Sequence, residues 1–193
     1  MSSRNAKQEI INTTIRMIQE KGYNNISTNH IAKETGVSIG TLYHHFQKGK
    51  PDIVKELLRR EYIEFLDENV IEALTPENLA NFLQDLLTKY IQQHRNNIEM
   101  LIAIEIAMLT NKELFEEFEY IKSELKLISL ISKVLKNLGY KNEDDINSRS
   151  QFLLNFIDCI IHRHVIYGMV VENDDNLVKF LEESILKFIG LKA

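Results

Sequence analysis

Pro51 and Pro76 are the only prolines in 193 residues, and only seven glycines accompany them. A chain with so few turn-formers cannot fold as many short strands joined by tight turns. Both prolines stand where a helix can begin, at first-turn positions that have no intrahelical hydrogen bond to lose. Apolar residues recur at helical spacing along most of the chain, so an all-α fold is predicted. With 44% hydrophobic and 26% charged residues, the composition is that of a globular domain with a sizeable core and not of a disordered chain. The single cysteine, Cys159, excludes an internal disulfide framework and a cysteine-based zinc cluster. No apolar run reaches bilayer-spanning length and the start, MSSRNAKQEI, is polar rather than signal-like, so a soluble cytoplasmic protein without membrane association is expected.

Nine helices are predicted. Ile10, Thr14, Met17 and Ile18 define the first, over 5–21, with Gly22 as its left-handed stop. Ser27 caps a short second helix, and Ser38 caps a third that runs through Phe46, with Gly36 in the turn between them. Pro51 opens a fourth helix extending to about Ala73. A fifth runs from Thr75 to near His94 and a sixth covers 97–109. Thr110 with Glu113 forms a capping-box pattern for a seventh that ends at Gly139. An unusually apolar eighth spans 144–171, and the last begins after Asn173 and stops before Gly190.

Charge is unevenly placed. Residues 1–50 hold seven Lys or Arg against three acids, a net of +4, whereas the rest of the chain carries −9. A basic segment on an acidic body suits a polyanion-binding module joined to a part with another task. Within that segment, STNHIAKETGVSIGTLYHHF (residues 27–46) spells a short helix, a glycine turn and a second short helix. Ile31, Val37, Leu42 and Phe46 can share a small core with the first helix. Ile39, Gly40, Thr41, Tyr43, His44 and His45 are left on or near the outer side. That is a helix-turn-helix, whose second helix can enter the DNA major groove.

Lys21-Gly22-Tyr23, Ile31-Ala32, Gly36-Val37-Ser38, Gly40-Thr41-Leu42-Tyr43 and the downstream Phe46 and Lys50, in this order and spacing, resemble the TetR family of transcriptional regulators. The detailed resemblance covers about residues 8–58, and Gln47-Lys48-Gly49 makes the following loop one residue longer than the commonest form. It implies a helix-turn-helix DNA-binding domain over 1–50 and a helical effector-binding and dimerisation domain over 51–193. Thr28, Tyr43 and Lys50 then resemble phosphate-contacting positions, aided by free amides at the start of the fourth helix. Ile39, Gly40, Thr41 and His44 resemble base-reading positions, with Ser38 at the head of the same helix and His45 a structural or phosphate contact. Tyr43 also suits half-buried packing, and the two roles are compatible.

For the larger part, the resemblance implies a homodimer and a small-molecule effector. Phe152, Phe156, Leu177, Phe180, Leu181, Ile185 and Phe188 form late apolar stripes that can meet a second copy or, equally, their own subunit's core. Met100, Ile104, Met108, Phe115 and Phe118 can line an apolar pocket, with Asn155, Cys159 or His162 as polar contacts, though such side chains also fill any helical bundle. His162 and His164 point to different helix faces. Asp158 and His162 share one, but two ligands do not define a metal site, so no metal and no cofactor is expected. The leading function is a ligand-responsive repressor that binds a double-stranded operator and is released by a hydrophobic effector. An activator or ligand-independent regulator is the alternative, and a helical-bundle enzyme or carrier is disfavoured because no nucleophile–base pair, Gly-rich phosphate loop or metal-ligand set is present.

Overall fold

The computed structural model describes residues 3–61, 68–115, 118–168 and 170–191. Among them there is no strand, and no helix is long and apolar enough to cross a membrane. The α-helices are α1 (Ser3–Lys21), α2 (Thr28–Thr35), α3 (Ile39–His45), α4 (Lys50–Glu61), α5 (Glu68–Glu72), α6 (Pro76–Asn96), α7 (Ile98–Thr110), α8 (Lys112–Phe115), α9 (Phe118–Asn137), α10 (Glu143–Ile166) and α11 (Asp174–Phe188), with a 3-10 turn over Tyr23–Asn25 between α1 and α2. The expected fourth helix corresponds to α4 and α5, and the expected seventh to α8 and α9; residues 62–67 and 116–117 lie outside the described ones.

Local chemistry accounts for most boundaries. Ser27, Ser38, Asn142 and Asn173 each accept a backbone N–H three residues on, satisfying a donor that has no partner within its helix. Gly36 ends α2 at φ 69°. The expected Thr110–Glu113 capping box does not form. Thr110 is the last residue of α7, and its hydroxyl donates back to the Ile106 carbonyl at 2.6 Å. The eighth predicted helix also stops early, as α10 at Ile166. The chain turns at Gly168, and the Val170 amide donates to Nδ1 of His164 at 3.0 Å.

The chain divides into two compact units. One combines Met1–Tyr62 with Asn97–Ile121, so α7 and α8 join the helix-turn-helix although they are distant in sequence. Its core contains Ile10, Ile11 and Ile18 of α1, Ile31 of α2, Leu42 of α3, Ile53 and Val54 of α4, and Met100 and Ile104 of α7. Ala103 and Ala107, both fully buried, keep α7 narrow where it packs on α1 and α4. Each large aliphatic side chain buried there contributes about 1.5–3 kcal/mol.

The other unit combines Ile63–Asn96 with Lys122–Ala193. Leu79, Leu83, Leu87 and Ile91 repeat every fourth residue and form the buried face of α6, which packs against α10 and α11. Polar side chains supplement this contact. Gln84 donates to Glu182 at 2.7 Å. The Tyr90 hydroxyl donates to Asp158 at 2.7 Å. Arg95 grips Asp174 through two guanidinium nitrogens. His164, with its side chain fully buried, accepts at Nδ1 and so donates from Nε2 to Asp174 at 2.9 Å.

The hydrogen bond from Arg95, aided by His164, holds the Asp174 carboxyl below the ordinary carboxylate range. A depressed pKa stabilises the fold fully above the unfolded value, about pH 4, and the contribution disappears as the pH falls through the folded value. Asp174→Asn is therefore expected to lower the urea midpoint at pH 7, with the gap to wild type closing on acidification below pH ~4. Urea titrations of both proteins across that range measure this; a gap that does not change with pH would show that the charge of Asp174 contributes nothing.

Candidate nucleic-acid interface

α3 is held by two anchors. Leu42 and Phe46 are buried in the core of the first unit, and the remaining side chains are consequently presented outward. Ile39 is 41% and Tyr43 45% exposed, and Gly40 and His44 are exposed with them. An aliphatic side chain at the first turn of an exposed helix has no packing role, and it suits contact with a thymine methyl. Ser38 and Thr41 are engaged with each other: Ser38 Oγ accepts the Thr41 amide at 3.0 Å, and their hydroxyls lie 2.8 Å apart. This fixes the start of the helix and leaves the Thr41 hydroxyl half-committed. His45 is half-buried, its ring between those of His44 and Phe46, with centroids at 5.2 and 6.4 Å.

A second group of residues flanks this face. The hydroxyls of Thr28, at the start of α2, and Tyr43 share a hydrogen bond of 3.2 Å. Gly49 closes the cluster at φ 72°, and a Cβ there would stand 2.9 Å from Thr28 Cγ2. Both the backbone conformation and the space demand glycine. The role of Gly49 is not apparent from the sequence, because the contact joins residues that are 21 positions apart. Arg16 bonds to Glu34 at 2.8 Å, tying α1 to α2 and raising the guanidinium pKa. Its charge is thereby partly matched within the protein.

Lys50, expected to contact a phosphate, is engaged within the protein when DNA is absent. Its ammonium turns inward, donating to the carbonyls of Tyr23 and Ile26 at 2.7 Å each and lying 4.0 Å from the centroid of the Tyr23 ring. Burial pulls its pKa below the ordinary lysine value. The expected anion site at the start of α4 is likewise partly filled, since the Asp52 carboxylate accepts the Lys48 amide at 2.7 Å. Lys48 itself is exposed.

The other predicted site residues belong to both units. Met100 and Ile104 are buried in the core of the first unit, with Met108 packed against it. Asn155 and Cys159 are exposed on α10 of the second, where His162 is half-buried, so neither unit by itself brings the two sets together. The side chains of Phe115 and Phe118 lie outside the described ones. Among the stripe residues, Leu177, Leu181 and Ile185 are buried within the subunit, so their own core already covers them. Phe152 and Phe180 are 51% and 50% exposed. The Phe152 ring stacks on Phe156 and Phe188, with centroids 5.8 and 4.8 Å apart.

Residues 10–57 match the family model described as bacterial regulatory proteins, tetR family. An HTH-type transcriptional regulator of Staphylococcus aureus strain USA300 is 38% identical over 161 residues, covering 82% of this chain and 84% of that protein. The fatty acid metabolism regulator protein of Bacillus subtilis strain 168 is 27% identical over 156 residues, covering 78% of each. Among solved structures, a fatty acid degradation regulator from Bacillus halodurans superposes with a TM-score of 0.68 at 21% identity, over 97% of each chain. That structure supports the fold.

Removing the Lys50 ammonium leaves two carbonyls without their donor. Lys50→Ala is accordingly expected to destabilise the free protein by about 1–3 kcal/mol. Chemical unfolding without DNA measures it. An unchanged midpoint would mean that the ammonium does not hold the 23–26 turn.

Proposed function

The chain belongs to the TetR family of bacterial regulatory proteins and is a DNA-binding transcriptional regulator, and from this premise we propose that it is a repressor released from its operator by a hydrophobic effector. The observation that carries the DNA-binding part of this reading is the exposed face of α3, on which Ile39, Gly40, Tyr43 and His44 project while Leu42 and Phe46 hold the helix from behind. In the proposed complex, residues 1–50 dock on the duplex. Ile39, Gly40, Thr41 and His44 meet base edges, and Thr28, Tyr43 and Lys48 meet phosphates. Ser38 positions the helix, His45 supports it, and Lys50 acts mainly as an internal clamp.

Residues 51–193 are proposed to bind the effector and a second copy of the chain. The name of the Bacillus subtilis relative, a fatty acid metabolism regulator, supports an acyl compound as the effector class. Such a ligand lowers operator affinity only to the extent that it prefers the DNA-free conformation, and operator must then weaken effector binding by the same factor. For the homodimer, the exposed and half-buried aromatic group of Phe152, Phe156, Phe180 and Phe188 is the proposed contact surface.

Operator sites recovered by genomic binding-site mapping provide the test. His44→Ala is expected to cost about 1–3 kcal/mol at particular base pairs and to relax specificity there. Tyr43→Phe should weaken cognate and random DNA alike. A long-chain acyl compound should release the operator reversibly. Titration of cognate, half-mutated and random duplexes over several salt concentrations separates the two variants. Identical behaviour of both on all three would remove α3 from the base-reading role, and failure of every acyl compound to release the operator would remove the proposed effector class.

Light scattering tests the assembly. Wild type is expected to be dimeric at micromolar concentration without DNA, and Phe180→Glu monomeric, because an unpaired carboxylate would be buried on association. A monomeric wild type would show that this aromatic surface does not pair.

A further inference from the structure

Asp158 and His162 lie one turn apart on α10, a spacing that sets both on one face, and two ligands do not define a site. The third comes from α6. His94 Nε2 lies 3.2 Å from His162 Nε2, and His162 Nε2 lies 3.3 Å from Asp158 Oδ1. The three ligand atoms all fall within 4.8 Å of one another. Four ligands at zinc bond lengths of 2.0–2.1 Å stand about 3.3 Å apart along each tetrahedral edge. Two edges of that figure are therefore already set, and a carboxylate adjustment completes the third.

The surrounding hydrogen bonds orient these atoms inward. The Tyr90 carbonyl can only accept, so His94 Nδ1 donates to it at 2.8 Å, which leaves the lone pair of the neutral ring on Nε2, facing His162. The Tyr90 hydroxyl donates to Asp158 Oδ1 at 2.7 Å and tethers the carboxylate beside the two rings, leaving it room to pivot. One residue thus supplies the outer partner of a histidine through its backbone and of a carboxylate through its side chain, the arrangement that metal ligands generally have. Two imidazole nitrogens facing each other at 3.2 Å need a proton between them, and a cation bound to the side of that line, at zinc bond lengths from both, can displace it. The His162 and Asp158 side chains are 13% and 29% exposed, so an ion can enter and keep solvent or a further ligand as its fourth partner.

We propose that His94, Asp158 and His162 form a binding site for a divalent transition-metal ion of the zinc class, pinning α6 to α10 within the second unit. The nitrogen and carboxylate donors suit Zn2+ and Co2+ and not Mg2+ or Ca2+, which take oxygen ligands.

The full-length protein, stripped with a chelator and dialysed, is titrated with Co2+ and then with Zn2+. Expected is one ion per chain, with the intense visible absorption of tetrahedral Co2+, displaced by Zn2+ and accompanied by a rise in melting temperature. His94→Ala and His162→Ala should each abolish the absorption. Asp158→Asn, which keeps an acceptor for Tyr90 but removes the charge, should weaken binding. Tyr90→Phe, which leaves all three ligands in place, should weaken it about 10–100-fold. The last two keep the test decisive if a histidine variant does not fold. Absence of the Co2+ band in wild type overturns the proposal, as does a band that persists in the variants because exposed His44 and His45 or other surface groups hold the ion.

Discussion

The proposed nucleic-acid face depends on one internal contact. The Lys50 ammonium bridges the carbonyls of Tyr23 and Ile26, joining the start of α4 to the turn that leads into α2. Those carbonyls belong to the single 3-10 turn Tyr23–Asn25 and to Ile26 that ends it, and buried without a donor each would cost about 1–3 kcal/mol. With the turn fixed, Thr28 enters α2 beside Tyr43, and Gly49 can pass beneath both. The exposed face of α3 thus rests on a charge turned away from solvent. The family resemblance implied a phosphate contact at this position, whereas the structure gives the ammonium a task that does not require DNA.

Both units use polar side chains where apolar packing alone leaves orientation undetermined. Aliphatic contacts are non-directional, so Leu79, Leu83, Leu87 and Ile91 bring α6 against its neighbours without fixing its rotation. Arg95 on Asp174, Tyr90 on Asp158 and Gln84 on Glu182 supply that direction at successive levels along the helix. Buried His164 acts in the same way, linking α10 to Asp174 and to the Val170 amide. Of the two histidines flanking Arg163, one is thus structural and the other, His162, faces the cluster with His94.

Helix starts were legible in the sequence because a cap is a local event. Ser27, Ser38 and Asn173 each bond to an amide three residues on, and their identities sufficed to place α2, α3 and α11. Where the local signal misled, a competing local bond took over. Thr110 had a helix carbonyl within reach and bonded backwards to Ile106, so the capping pattern with Glu113 was left unused. The outward set on α3 was also legible, since Leu42 and Phe46 alternate with it at helical spacing. Stripe residues were harder. Leu177 and Phe180 carry the same hydrophobic signal, yet one is buried in its own subunit and the other is half exposed. Periodicity marks a face of a helix and not which neighbour covers it.

What the sequence determined by itself is therefore whatever rests on short-range bonding and spacing: an all-helical chain, the helix-turn-helix, its caps, and the family these residues resemble. Tertiary structure alone decided the rest. It drew α7 into the first unit, turned Lys50 inward, set Gly49 beneath Thr28, and brought His94 to Asp158 and His162 across 68 positions of chain in the case of His162. Each of these is a contact between residues whose separation carries no local signature. Only the packing of whole helices, driven by burial of their apolar faces, determines which polar groups meet at the seams.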